Sequence, residues 1–176
     1  MTSDIQVSIR PYGEGDLWVL EKTLGEPSQM VHLNGPESEE KIQKRHKRFL
    51  AMSADSHAGC QFTILAGPEN SPAGSVGYWE SEWKGQKGWE MGWFVLPEFQ
   101  RRGVATAAVR LVLESLSKHG SHKTVFAFPS VDNHPSTAIC RKLGFALKEE
   151  VSDEYPPGSG RLLHVGVWML SLPAKN

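Results

Sequence analysis

Two cysteines, Cys60 and Cys140, are all that the 176 residues contain. They stand far apart and form no CxxC, which excludes a disulfide framework and leaves zinc no ligand spacing. So little cysteine fits a reducing, cytoplasmic setting. Long apolar runs are missing as well. Nothing approaches the roughly 20 residues that cross a bilayer, and MTSDIQVSIRPYGEGDLW has neither the basic patch nor the apolar core of a secretion signal. Charge of one sign is lacking too: 19 Lys and Arg stand against 20 Asp and Glu, a formal net charge of −1. No basic excess points to nucleic acid and no acidic one to a disordered tail. GxxxxGK[ST] is absent, and no GxGxxG follows a strand, which removes two common phosphate loops. A soluble protein with no membrane, nucleic-acid or metal partner is expected.

What is present has the pattern of one α/β domain over residues 1–176, a length that buries about 70% of its unfolded surface without staples. Residues 7–12 alternate as a strand, and residues 15–26 read as a short helix. A second helix is expected from GPESEEKIQKRHKRFLAM, with Pro36 in its first turn and acids behind it. Strands follow at 60–67 and in GSVGYWESEW and GWEMGWFVL, the last two a hairpin around Lys84-Gly85-Gln86-Lys87. Ala105, Ala108, Val109, Val112, Leu113 and Leu116 then recur at helical spacing, and Gly120 stops that helix. A strand at 124–131, a short helix ending at Gly144 and a final strand pair complete a sheet of mixed direction.

The stretch VLPEFQRRGVATAAVRLVLE places Arg101, Arg102 and Gly103 where that long helix must begin. A helix start leaves about four backbone N–H groups unpaired at its positive end. Glycine lets an anion approach them, and the slim Ala105 keeps the first turn open. Hydrogen bonds to a charged group are worth about 1.5–3 kcal/mol each. An exposed arginine adds about 0–1 kcal/mol after screening. The amides should dominate, with the arginines assisting capture. The alternative is a solvated basic corner on an ordinary helix.

Gln100-Arg101-Arg102-Gly103-Val104-Ala105 resembles the Q/R-x-x-G-x-G/A signature of the GNAT superfamily of acetyl-CoA-dependent N-acetyltransferases. Asn133-His134-Pro135-Ser136 through Arg141-Lys142-Leu143-Gly144-Phe145 resembles its N-x-x-S…K-x-G-F segment. Glu90-Met91-Gly92-Trp93 is similar to the E-x-G-W/Y of the ribosomal-protein alanine acetyltransferase-like branch. The resemblance implies a mostly antiparallel twisted sheet of about seven strands, with helices on both faces and a splayed parallel pair in the middle. It further implies acetyl-CoA as co-substrate, its pyrophosphate held by amides of Gln100, Arg101, Arg102, Gly103, Val104, Ala105 and Thr106. Backbone groups of Phe94, Val95 and Leu96 would pair with pantetheine, and Asn133 would hydrogen-bond that arm. The acceptor implied is a small-molecule amine or a protein N-terminus; a homodimer is left open.

Acetyl transfer needs a neutral amine, so a base must remove a proton. Strand alternation puts Glu90, Gly92 and Phe94 on one face and Trp89, Met91, Trp93 and Val95 on the other. That makes Glu90 the candidate base, the alternative being a carboxylate paired with Arg or Lys. The resemblance supplies a backbone N–H near Val95 for the oxyanion. Where many GNAT members carry an acid tyrosine, seven residues after the asparagine, this chain has Cys140. Ser136 is the other candidate donor, unless it caps the helix near Pro135. A non-catalytic acyl-CoA-binding or sensing module is the competing function. KIQKRHKR reads as a solvated helix face with Glu37–Lys41 and Glu40–Lys44 pairs. Trp79 and Trp83 share a strand face and either line an acceptor cleft or pack the core. The resemblance lets the loop around Tyr155 border that acceptor.

Overall fold

The computed structural model describes residues 5–173. Its elements follow the order read from the sequence: β1 (Val7–Pro11), α1 (Leu17–Leu24), α2 (Glu39–Ala54), β2 (Gly59–Ala66), β3 (Ser71–Trp83), β4 (Gln86–Val95), α3 (Val104–His119), β5 (Thr124–Ala127), α4 (His134–Lys142), β6 (Ala146–Glu154) and β7 (Leu162–Ser171). The strands form one seven-stranded sheet in the order β1-β2-β3-β4-β5-β7-β6. Every neighbouring pair is antiparallel except β4 and β5, which run parallel. A parallel pair needs a crossover, and α3 provides it.

The two faces are covered by different helices. Ile64, Val76, Trp89 and Met91 meet the buried stripe of α3, formed by Val104, Ala108, Val109, Val112, Leu113 and Leu116, with Phe145 after α4 joining them. Burying each such Val or Leu contributes about 1.5–3 kcal/mol. Val104 takes the buried place expected of Ala105, which is only half-buried. On the other face α1 and α2 pack through Leu20, Leu24, Ile42 and Phe49, with Tyr12 and Met30 beside them. Gly120 ends α3 by donating its N–H to Leu116 O at 2.8 Å.

Three boundaries differ from expectation, each for a local reason. Ser38, not Pro36, begins α2: its hydroxyl accepts the Lys41 N–H at 3.4 Å, leaving Pro36 outside the helix. The β3–β4 hairpin turns on Lys84 and Gly85 alone, both at positive φ (48° and 80°), so Gln86 already pairs with Trp83. β5 stops at Ala127 rather than Val131 because Pro129 follows, which has no N–H to give a ladder. Among the described residues no helix is long and apolar enough to cross a membrane.

Near the start of α1, Asp16 is buried and ties that helix to the sheet. Its carboxylate accepts both arms of the Arg10 fork at 2.6 and 2.8 Å, the Gly13 N–H at 2.8 Å and the Thr63 hydroxyl at 2.7 Å. Burial pushes this carboxyl up, but those donors outweigh it and hold it below the ordinary carboxylate range.

Candidate active site

The corner before α3 is built from backbone. Arg101 and Gly103 both take left-handed conformations, with φ of 58° and 76°. The first hydrogen bond of α3 runs from Ala107 N–H to Gly103 O at 3.0 Å. The N–H groups of Val104, Ala105 and Thr106 therefore have no acceptor inside the helix. A Cβ at position 103 would meet nothing within 4 Å. Glycine is needed here for its φ, and the space above it is open to an approaching anion. Arg101 and Arg102 are exposed on the rim. Gln100 Nε2 donates to Val95 O and to Gln29 Oε1, each at 2.9 Å, and so fixes the corner to the end of β4.

Beside this corner the sheet opens. β4 and β5 are paired only at Trp89–Val125 and Glu90–Phe126. β4 then continues alone to Val95, while the chain after β5 stays with β7: Gly166 N–H donates to Pro129 O at 3.0 Å, and Ser130 bridges Val165. A gap follows between the two strands. Along β4, backbone groups alternate between the two neighbours. Leu96 gives its N–H to Ala73 O at 2.8 Å and its carbonyl accepts Phe99 N–H at 2.9 Å, so neither is free. The Phe94 carbonyl lies against Gly74 of β3. Of the three residues expected to pair with a ligand, only Val95 is left with its N–H on the gap side, its carbonyl accepting Gln100 Nε2. Across the gap stands the start of α4, where Asn133 Oδ1 accepts Ser136 N–H at 3.2 Å. Asn133, not Ser136, is therefore the helix cap, and the half-buried Ser136 side chain is released from that duty.

Glu90, Gly92 and Phe94 face α1 and α2, as alternation requires. Cross-strand register places Gln61, Gly77 and Gly92 in one row, next to a row of Gly59, Trp79 and Glu90. The bare glycines at 77 and 92 leave room for a cleft under the helices, lined by Leu20, Phe49, Gln61, Trp79 and Phe94 and by Arg45 and Arg48 of α2. The Ser81 hydroxyl donates to Glu90 Oε2 at 3.0 Å. Burial raises the Glu90 carboxyl above its ordinary value, against the opposing pull of Ser81, Trp79 and Arg48. No ion pair of 4.0 Å or less is formed by Glu90 among the described residues, so a structural salt bridge does not account for it.

Other expectations need correction. Cys140 has no exposed surface and lies in the α3-side core. Burial pushes its thiol up to about 12. KIQKRHKR is not one solvated face. Lys41, Lys44, Lys47 and Arg48 are exposed, Arg48 at the rim of the cleft, but His46 is buried against Tyr12 Oη at 2.7 Å and the half-buried Arg45 lines the cleft. Glu37 pairs with Arg45 instead of Lys41, whereas Glu40 and Lys44 do pair, at 2.7 Å. Trp79 lines the cleft. Trp83 leaves it, donating from Nε1 to Glu149 at 3.1 Å. The Tyr155 carbonyl accepts Asn34 Nδ2 at 2.8 Å, which binds the β6–β7 loop to the segment between α1 and α2. Gln61, Ser81, Arg45 and Arg48 are the site residues that sequence reading missed. The i,i+3 spacing of Ile42, Arg45 and Arg48, next to buried Phe49, was the available signal.

A splayed parallel strand pair, a helix start with open amides on one side and, on the other, a cleft whose lining residue Trp79 is paired with Glu90 fit an acyl-transfer architecture. A family model described as an acetyltransferase (GNAT) domain matches residues 6–146. The chain belongs to the GNAT acetyltransferase family and is an acyltransferase. No curated protein matches it. Among solved structures it is similar to a spermidine N-acetyltransferase from Vibrio cholerae in complex with CoA and spermine: 17% identity over 95% of this chain and 96% of that one, TM-score 0.75. It is similar also to RimL, a ribosomal L7/L12 alpha-N-protein acetyltransferase in complex with coenzyme A, at 16% identity, 99% and 98% coverage and TM-score 0.77. An acetyltransferase of the GNAT family from Bacillus anthracis aligns at 17% identity, 94% and 95% coverage and TM-score 0.75. At such identities the likeness is one of fold.

Proposed function

We propose that this chain transfers the acetyl group of acetyl-CoA to a primary amine by direct attack on the thioester. The observation that carries the reading is the parting of β4 from β5 immediately after Glu90 and Phe126. We read that gap as the passage between the amides at the start of α3 and the cleft beneath α1 and α2.

The open N–H groups of Val104, Ala105 and Thr106 hold the pyrophosphate, with Gly103 giving the turn its shape and Arg101 and Arg102 adding capture. Gln100 acts by holding the corner to β4 through its side chain, its own N–H being taken by Pro97 O at 3.2 Å. Val95 pairs with the pantetheine arm and offers its N–H where the oxyanion develops; Phe94 and Leu96 support it by packing. Asn133 keeps an Nδ2 group for the same arm while its Oδ1 caps α4. Glu90, directly or through one water, takes the proton of the incoming ammonium. The amine nitrogen then attacks the thioester carbon, the C–S bond breaks, sulfur leaves as a thiolate, and the second proton given up by the nitrogen balances the one the sulfur gains. That thiolate resembles a cysteine, whose pKa is about 8.5. Ser136, half-buried at the start of α4, is the better placed proton donor to it. Cys140, with no exposed surface, is enclosed in the α3-side core instead.

Release of CoA thiol from acetyl-CoA, followed against a panel of amines and peptide N-termini, tests the reading. Amine-dependent release supports it. Coenzyme binding without release from any amine would make the chain a sensing module instead.

A further inference from the structure

The cleft beneath α1 and α2 holds more positive charge than amine acetylation requires. Arg45 and Arg48 both enter it from α2. Arg45 has a matched partner in Glu37, whose side chain is 5% exposed. Burial works against the Arg45 charge, but Glu37 and Tyr155 more than restore it. Arg48 has no carboxylate within 4.0 Å among the described residues; its guanidinium sits over the Phe49 ring at 5.5 Å. Glu90 reaches Arg48 only at longer range and is occupied by Ser81. A guanidinium at a cleft mouth without a protein anion is a fork available to a ligand carboxylate.

A second observation lies deeper in the cleft. Gln61 is 3% exposed, and its Oε1 has no hydrogen-bond partner. Its side chain occupies room that Gly77 provides: a Cβ there would stand 1.9 Å from that oxygen. A buried amide left unpaired is destabilising, and a donor on a ligand would satisfy it. Between Gln61 and Arg48 the walls are apolar, formed by Leu20, Leu24, Trp79 and Phe94.

We propose that the acceptor is a small amine with an apolar body that also carries a carboxylate, the carboxylate held by Arg48 and a ligand N–H by Gln61. This rests on the acetyl-transfer reading and narrows its acceptor. A polyamine is disfavoured, because it would bring like charge against the unpaired guanidinium of Arg48.

Calorimetry of the wild-type protein with leucine, phenylalanine and tryptophan, their C-terminal amides, and spermidine tests this without needing turnover. The titrations are run with and without CoA. Failure of CoA to bind would count against acetyl transfer alone, since the cleft is on the opposite face from α3. At least one free amino acid is expected to bind about tenfold or more tighter than its amide, and spermidine more weakly than either. Arg48→Gln should collapse that ratio toward one, while Arg48→Lys retains part of it; equal melting temperatures would show that both variants fold. Equal affinity of acids and amides, tighter binding of spermidine, no binding of any amino acid, or a ratio unchanged in Arg48→Gln would each overturn the proposal.

Discussion

Glu90 carries opposing demands, because burial that makes a carboxylate a better base also makes its ionised form costly. With its carboxyl raised by burial, Glu90 favours the folded state below the ordinary carboxylate pKa. That contribution is lost as pH rises through the raised value. Glu90→Gln should therefore leave thermal stability at neutral pH unchanged or higher, while lowering turnover about 10²- to 10⁴-fold. The acid limb of the kcat/KM profile, centred above the usual carboxylate range in the wild type, should vanish with it, and CoA affinity should stay. Gly103 is constrained differently. At φ of 76° any other L-residue is strained, so Gly103→Ala should cost about 1 kcal/mol of stability. It should also weaken CoA binding, as melting and calorimetry would show together. Both residues were legible in the sequence because their signals are local, one an alternation and the other a helix start.

Elements show where that legibility ends. The order of strands and helices followed from periodicity and turn residues, but the register that sets Gln61 opposite Gly77 and Gly92 is a long-range fact. No window of sequence contains it, so of the cleft only Trp79 was foreseen. Arg45 and Arg48 were misread for a related reason: a basic run looks solvated until the sheet beneath it is known. The orientation of α1 depends on the Asp16 cluster, whose partners come from β1, β2 and the turn between β1 and α1. Asp16→Ala should destabilise the fold by about 2–4 kcal/mol, since it strands the Thr63 hydroxyl and the Gly13 N–H. Because the folded-state pKa of Asp16 is depressed, its contribution is present above the unfolded carboxyl value near 3.9 and is lost as pH falls through the folded one. A urea titration series across acidic pH would show the wild type converging on the variant.

For the whole molecule, the two faces of the sheet divide the labour. The α3 face holds the larger core and the corner proposed for coenzyme, whereas the α1/α2 face holds the cleft proposed for the acceptor, with the β4–β5 gap as the proposed passage between them. Coenzyme binding should consequently stabilise the entire fold. At CoA one hundredfold above its Kd, the linkage is about 2.7 kcal/mol, or a rise of about 5–11 °C in Tm for a chain of this size. The most direct test of acetyl transfer across that gap is amine-dependent release of CoA thiol from acetyl-CoA, measured side by side for wild type and Glu90→Gln. Release that requires the amine and falls at least a hundredfold in the variant is expected. Tight coenzyme binding with no thiol released by any amine, or equal release from both proteins, would contradict it.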